Sequence, residues 1–212
     1  MQATKDDARP TTTRMFESDL VERFSRINPV TPFVFWLPVL CFLLGRAIVR
    51  HEVAPLPMAA LVVGGVFFWT FAEYVLHRYV FHFVRDSAFW RRFHFLIHGV
   101  HHDFPDDKDR LVMPLGASIP MGVGFFTLFS LTMGAVAEPF FVGFGLGYLA
   151  YDGTHFALHH FKLSGLIGKA LRKHHMLHHH LDHAGGFGVS SPLWDLVFRT
   201  MPQPRKRAAK SA

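Results

Sequence analysis

Cysteine is almost absent: Cys41 is the only one in 212 residues. It sits in an apolar run, so no disulfide framework is possible and cysteine usage carries no signal of redox compartment. Charge is scarce too, at 18% of residues against 50% hydrophobic and 24 phenylalanines. That balance points to a small membrane protein rather than one soluble domain. No apolar core follows Met1 directly, so nothing there reads as a cleavable signal. Residues 103 to 154 hold no histidine, although the chain has 16. That gap separates two histidine clusters and suggests two half-sites.

What charge there is leans basic, 22 Lys and Arg against 16 Asp and Glu. Nucleic acid is not the expected partner, because the basic residues flank apolar segments, as the positive-inside rule describes. Residues 1–14 are polar, Thr-rich and expected to be disordered. Residues 16–27 place Phe16, Leu20, Phe24 and Ile27 on one helical stripe, which predicts an interfacial helix ended by Asn28 and Pro29. A soluble packed helix has the same pattern.

Four apolar runs follow. Pro32 to Val49 is broken only by Arg46, and Leu56 to Leu76 carries Glu73 alone. Leu111 to Ala137 is uncharged, with Glu138 and Pro139 marking a tight turn. Pro139 to Tyr151 is long enough to span only if its helix continues through Asp152 towards His159. The expected fold is therefore all-α: about four transmembrane helices in two hairpins, under a helical histidine-rich cap holding a di-metal site. The domain reading is residues 1–14, a membrane domain 15–200, and a basic tail 201–212. Five Lys and Arg precede the first run, six lie in 77–110 and nine follow 159. By that asymmetry both termini and the histidines face the cytoplasm.

Nine histidines fall in residues 155–183. His155 and His159 are four apart, and His175, His178 and His179 form HxxHH, so on helices each set shares a face. Upstream stand His77 and His82 in HRYVFH, and His98, His101 and His102 in HGVHH. A cloning tag is one contiguous terminal run, unlike these internal, helically spaced residues. Neutral imidazole suits iron, zinc, copper and nickel. Ten motif histidines are too many for one ion but not for two. Carboxylate-bridged di-iron bundles use Glu and Glu-x-x-His ligands, which these motifs lack. Two divalent ions among neutral ligands call for nearby carboxylates, and Glu73 and Asp152 stand one helical turn before His77 and His155. Ordinary helix-end solvation is their alternative role. Because His77 and His82 are five apart, a helix carrying both must end, bend or bulge.

The order HRYVFH, HGVHH, YDGTHFALHH, HMLHHH, then GFGVSSPLWD, resembles the fatty acid 2-hydroxylase branch of the fatty acid hydroxylase and sterol desaturase superfamily. The resemblance runs from FESDLVERFSR to the tryptophan after GFGVSSP. It implies an integral membrane oxidoreductase with two iron ions, for which zinc substitutes on purification. Molecular oxygen and two electrons would hydroxylate C-2 of a fatty acyl chain, carried as free acid or in a ceramide-type sphingolipid. Its ligand pattern falls on His77, His82, His98, His101, His102, His155, His159, His175, His178 and His179. In HHMLHHH a frame shift would substitute His174 or His180. His160 and His183 are candidate second-shell donors, and His51 and His94 bystanders. Nothing resembles a cytochrome b5 domain, so a separate donor is expected, cytochrome b5-like or ferredoxin with its reductase. Lys108 and Arg110, in DFPDDKDRLVMP, are candidates for a lipid head group, or equally part of a solvated loop. The membrane is the bacterial inner membrane, or the endoplasmic reticulum in a eukaryote. Rival readings are sterol or carotenoid hydroxylation or desaturation, and a metal-binding or transport protein. The latter is disfavoured because ionisable residues are missing from mid-span.

Overall fold

The computed structural model describes residues 12–204; most of the expected disordered start and basic tail lies outside them. Every regular element among the described residues is helical. Three helical stretches are long and apolar enough to cross a membrane: Thr31–Arg50, Pro55–Phe81 and Leu115–His160. The first is helix α2 (Thr31–Arg50), with Pro32 in its opening turn, where a missing N–H costs nothing. The second begins with α3 (Pro55–Leu76).

The third stretch breaks into α6 (Leu115–Met133) and α7 (Ala137–His160), joined by a short 3-10 turn, Gly134–Val136. Gly134 has φ +58, a left-handed conformation natural to glycine. The turn therefore falls before Glu138 and Pro139, which already belong to α7. Its 24 residues carry the helix unbroken from the far turn to the histidines, about 36 Å at ~1.5 Å per residue.

Side-chain pairings give the helix directions. Phe126 packs on Phe141 and Phe129 on Phe140, so α6 and α7 are antiparallel. Trp36 packs on Tyr148 while Arg46 pairs with Glu138, so α2 also runs against α7. Trp69 packs on Phe144, Tyr148 and Tyr151, and α3 runs parallel to α7. Glycine permits that contact: a Cβ on Gly65 or Gly143 would collide with the carbonyl of Phe140 or Val62. Small residues bring helix backbones together where lipid supplies no hydrophobic drive. The core is centred on Trp36, Leu40, Trp69, Phe141, Phe144 and Tyr148.

Thus α3 and α7 both end at the histidine-bearing cap. At the opposite end Arg46 and Arg50 meet Glu138 at 2.7 and 3.1 Å, tying α2 to the start of α7. The cap comprises α1 (Asp19–Ser25), α4 (Ala88–His94), α5 (Val100–Asp103), α8 (Leu166–His180) and α9 (Leu193–Val197). Helix α1 is shorter than the stripe 16–27: ahead of it the Met15 and Phe16 N–H groups bond Glu22 Oε2 at 2.9 and 3.0 Å, and beyond it the Ile27 N–H bonds the Asp109 carbonyl at 2.8 Å in place of a helical carbonyl. Leu20 and Phe24 remain 67% and 71% exposed, as an interfacial helix requires.

Candidate metal centre

Beyond Leu76 the helix widens into a π-turn, His77–Phe81, with the His82 N–H bonded to the His77 carbonyl at 3.1 Å. That bulge is how residues five apart reach one face. A second π-turn, Phe95–Gly99, carries His98 and is continued by α5 with His101 and His102. Helix α7 presents His155 and His159, and α8 presents His175, His178 and His179, on ordinary helical spacing.

These ten side chains form two groups of five. His77, His82, His98, His102 and His178 bring ring nitrogens within 4.8 Å of one another, as do His101, His155, His159, His175 and His179. The grouping departs from a simple upstream and downstream division. Each HxxHH motif sends its i and i+4 rings to one group and its i+3 ring to the other, so His101 and His178 change sides. His174 stands outside both groups and bonds Asp195 at 3.1 Å; His51, His94, His160, His180 and His183 also stand outside. His183 packs 5.2 Å, ring to ring, from His102.

The donor chemistry fits metal ions. In the first group His77 Nδ1 donates to the Phe187 carbonyl at 2.6 Å and His178 Nδ1 to that of Gly185 at 2.7 Å. Their Nε2 atoms are therefore bare, and they face His82 Nε2 at 3.2 and 3.0 Å. Lone pairs converging like this call for a cation among them. About 3 Å is also the separation of two nitrogens at right angles around an ion, each roughly 2.1 Å from it. In the second group His155 is 2% exposed and neither of its ring nitrogens has a partner among the described residues. Such a buried polar group costs ~1–3 kcal/mol unless something binds it. Desolvation, with repulsion from neighbouring rings, holds His98, His101, His175 and His179 well below the usual histidine range. Desolvation likewise brings His102 to about 2, His82 to about 3 and His178 to about 4. All stay neutral and able to ligate at physiological pH.

The carboxylates act at one remove. Glu73 accepts from the Val189 and Ser190 N–H groups, the latter at 2.8 Å, and from the Ser190 hydroxyl. It pins the loop whose Phe187 carbonyl orients His77, and does not touch His77 itself. Asp195, fully buried, holds the same loop from below, accepting from Phe187 N at 3.0 Å, Gly188 N at 2.7 Å and Thr200. Burial pushes its carboxyl up, but those bonds and His174 outweigh burial and leave it below the usual carboxylate range. Sequence reasoning did not single out Asp195; its signal was the aspartate closing GFGVSSPLWD. Asp152 accepts from Met113 N at 3.5 Å, and its second oxygen is buried without a partner.

Beside both groups lies a cavity of about 800 Å³, lined by His98, His101, His155, Tyr151 and Asp152 at its inner end and mostly by apolar side chains beyond, with Arg23, Arg26 and Arg110 among them. Arg110, expected at a head group, is instead buried: it pairs with Glu22 and lies 3.1 Å from Ser25 Oγ and 3.5 Å from Asp107. Lys108 is exposed on the same loop.

An apolar helical bundle that gathers ten neutral imidazoles into two adjoining groups able to hold metal ions defines a class of histidine-rich membrane proteins. Residues 62–200 match the model of the family described as fatty acid hydroxylase. The chain belongs to that fatty acid hydroxylase family, and is by class an oxidoreductase acting on lipid. It is 39% identical to a dihydroceramide fatty acyl 2-hydroxylase of Arabidopsis thaliana, over 91% of this chain and 83% of that one. It is 42% identical to a ceramide very long chain fatty acid hydroxylase of Saccharomyces cerevisiae, over 81% of this chain and 45% of the relative. A solved structure of full-length scs7p, with only the hydroxylase domain visible, superposes with TM-score 0.83 at 37% identity, covering 91% of this chain and 73% of that one. These likenesses favour the acyl branch over sterol or carotenoid chemistry and over transport.

Proposed function

We propose that this protein hydroxylates C-2 of a fatty acyl chain, most simply one amide-linked in a dihydroceramide-type lipid, at two iron ions held by the two histidine groups. The observation that carries this reading is that both groups border one largely apolar cavity. The chemistry supplied by the bound iron is reductive activation of oxygen, which puts one oxygen atom into a C–H bond and releases the other as water with two electrons and two protons.

The chain's own residues bind, orient and exclude water. His77 and His178, locked by backbone carbonyls, keep their Nε2 atoms bare. The apolar wall aligns the acyl chain, and exposed Lys108 is the residue we place at a polar head group. Four spans in two hairpins put both termini and the histidines on the cytoplasmic side, which the Lys and Arg distribution supports. The electrons come from a separate cytochrome b5-like or ferredoxin donor.

The test is iron-loaded protein in bilayers with a donor system, oxygen and dihydroceramide, with product read by mass spectrometry. A 2-hydroxyacyl product and about two ions per chain are expected. Hydroxylation at another carbon, or full activity of the iron-free zinc form, sinks the reading.

A further inference from the structure

One wall of the cavity comes from a segment that lies outside the matched family residues 62–200. Thr12 to Ile27 crosses the cap as a strap, and Met15, Phe16, Val21, Phe24 and Ile27 line the cavity, with Arg23, Ser25 and Arg26 between them. Opposite them stand Leu111 to Ala117, the chain leading from the second histidine box into α6. Val21 and Phe24 are 44% and 71% exposed, so this wall reaches the surface while the inner end reaches His101 and His155.

The strap is held to the cap by a polar knot beside a single buried apolar side chain, Met15, which is 7% exposed. Arg110, with its side chain 2% exposed, pairs with Glu22 and with Ser25 Oγ on α1, and with Asp107 on its own loop. Asp107 in turn accepts from the Thr12 hydroxyl. The Ile27 N–H donates to the Asp109 carbonyl at 2.8 Å, and Arg92 bonds the Met15 carbonyl. Glu22 also gathers the Met15 and Phe16 N–H groups, so one carboxylate sets the shape of the strap and its docking. No residue of α1 is buried, so without the knot Met15 alone would anchor the wall by apolar burial.

We propose that the Thr12–Ile27 strap is the selectivity wall for the acyl chain, and that Arg110 and Glu22 are its positioning residues. The occupant is the apolar chain of the lipid substrate. The cavity is continuous with the histidine groups, and about 800 Å³ lies in the upper part of the ~300–1,000 Å³ range of small-molecule sites. The strap touches the chain far from the reacting carbon, and remote contacts of this kind decide which substrate is aligned for reaction. Arg110, which was a candidate for the head group, borders the cavity itself and also fixes α1 through Glu22 and Ser25. This inference rests on the acyl hydroxylase reading.

Two measurements test it. Dihydroceramides bearing a photoactivatable diazirine at the acyl terminus, in lipid vesicles, should crosslink to residues 12–27, whether or not the protein turns over. Labelling confined to other segments overturns the proposal. In turnover, hexadecanoyl and tetracosanoyl dihydroceramides compete with each other. Val21→Trp, at a half-exposed site where folding is not at risk, should lower kcat/KM for the longer chain by roughly 10-fold relative to the shorter. Arg110→Gln and Glu22→Gln should raise KM for both chains with metal content intact, and Arg110→Lys should restore much of it. If Val21→Trp leaves the chain-length ratio unchanged while wild type makes 2-hydroxy product, the strap inference fails and the function stands. If wild type binds the probe but makes no such product, the functional reading fails instead.

Discussion

The two histidine groups hold the same number of the same ligand and are built by different means. The group of His101, His155, His159, His175 and His179 takes four rings from two regular helices at i, i+4 spacing. The Nδ1 atoms of His101, His175 and His179 have no protein partner among the described residues. The group of His77, His82, His98, His102 and His178 depends on two π-turns, and the loop 185–190 fastens two of its rings through carbonyls. One group is fixed by helix geometry and the other by backbone distortion plus a braced loop. Distorted backbone persists only where its surroundings over-determine it, so the second type of site should be the more easily loosened.

The largest effect expected is loss of a ligand from either group. His102→Ala and His159→Ala should each abolish hydroxylation, and metal analysis should fall from about two ions per chain towards one. Retention of both ions with near-normal turnover in either variant would show the grouping to be wrong.

Inserting an alanine after Tyr79, which is exposed, should set His82 six positions from His77, one more than the π-turn accommodates. His82 then swings off the face of His77 and the first group loses its ion, while the second keeps one. An insertion variant that binds two ions normally would remove the π-turn from the account.

Bracing residues come next. Glu73→Gln and Asp195→Asn should weaken metal binding roughly 10- to 100-fold, as losses behind a metal's ligands do. Competitive chelation should find the weakening in the first group only; equal weakening of both ions would erase the distinction between them.

The smallest effect is one that both groups share. In metal-free protein the buried rings have folded-state pKa values lowered to about 4 for His178, 3 for His82 and 2 for His102. The unfolded chain binds protons near pH ~6.5, so it gains protons first and stability rises with pH in between. The contribution is complete above ~6.5 and declines as pH falls through the folded values. Melting temperature of the metal-free protein should drop steadily below about pH 6.5; a flat profile down to pH ~4 contradicts burial of neutral rings.

Much of the second group was legible because α-helical spacing is written in the sequence: His155 with His159 and His175 with His179 sit one turn apart on any helix. That a helix carrying both His77 and His82 must end, bend or bulge was legible too, since five residues overshoot one α-turn; which of the three was not. The identity of Asp195 as a brace was not, because its role arises only when the loop 185–190 folds over α3. Nor was the fate of Arg110, whose partner Glu22 lies 88 positions away.

Composition and run lengths by themselves determined an all-helical membrane protein, histidine spacing marked the ten imidazoles we propose as ligands, and the acyl hydroxylase chemistry came from the resemblance of those motifs to a family. Those properties are local, since helix period and hydropathy act within a few turns of chain. Only the tertiary structure decided how the ten divide. A ring at i+3 in HxxHH points about 100°, more than a quarter of a turn, away from its i+4 neighbour. Whether it serves the same ion or the adjacent one depends on where the opposing helix stands, and the packing of α3 on α7 sets that position.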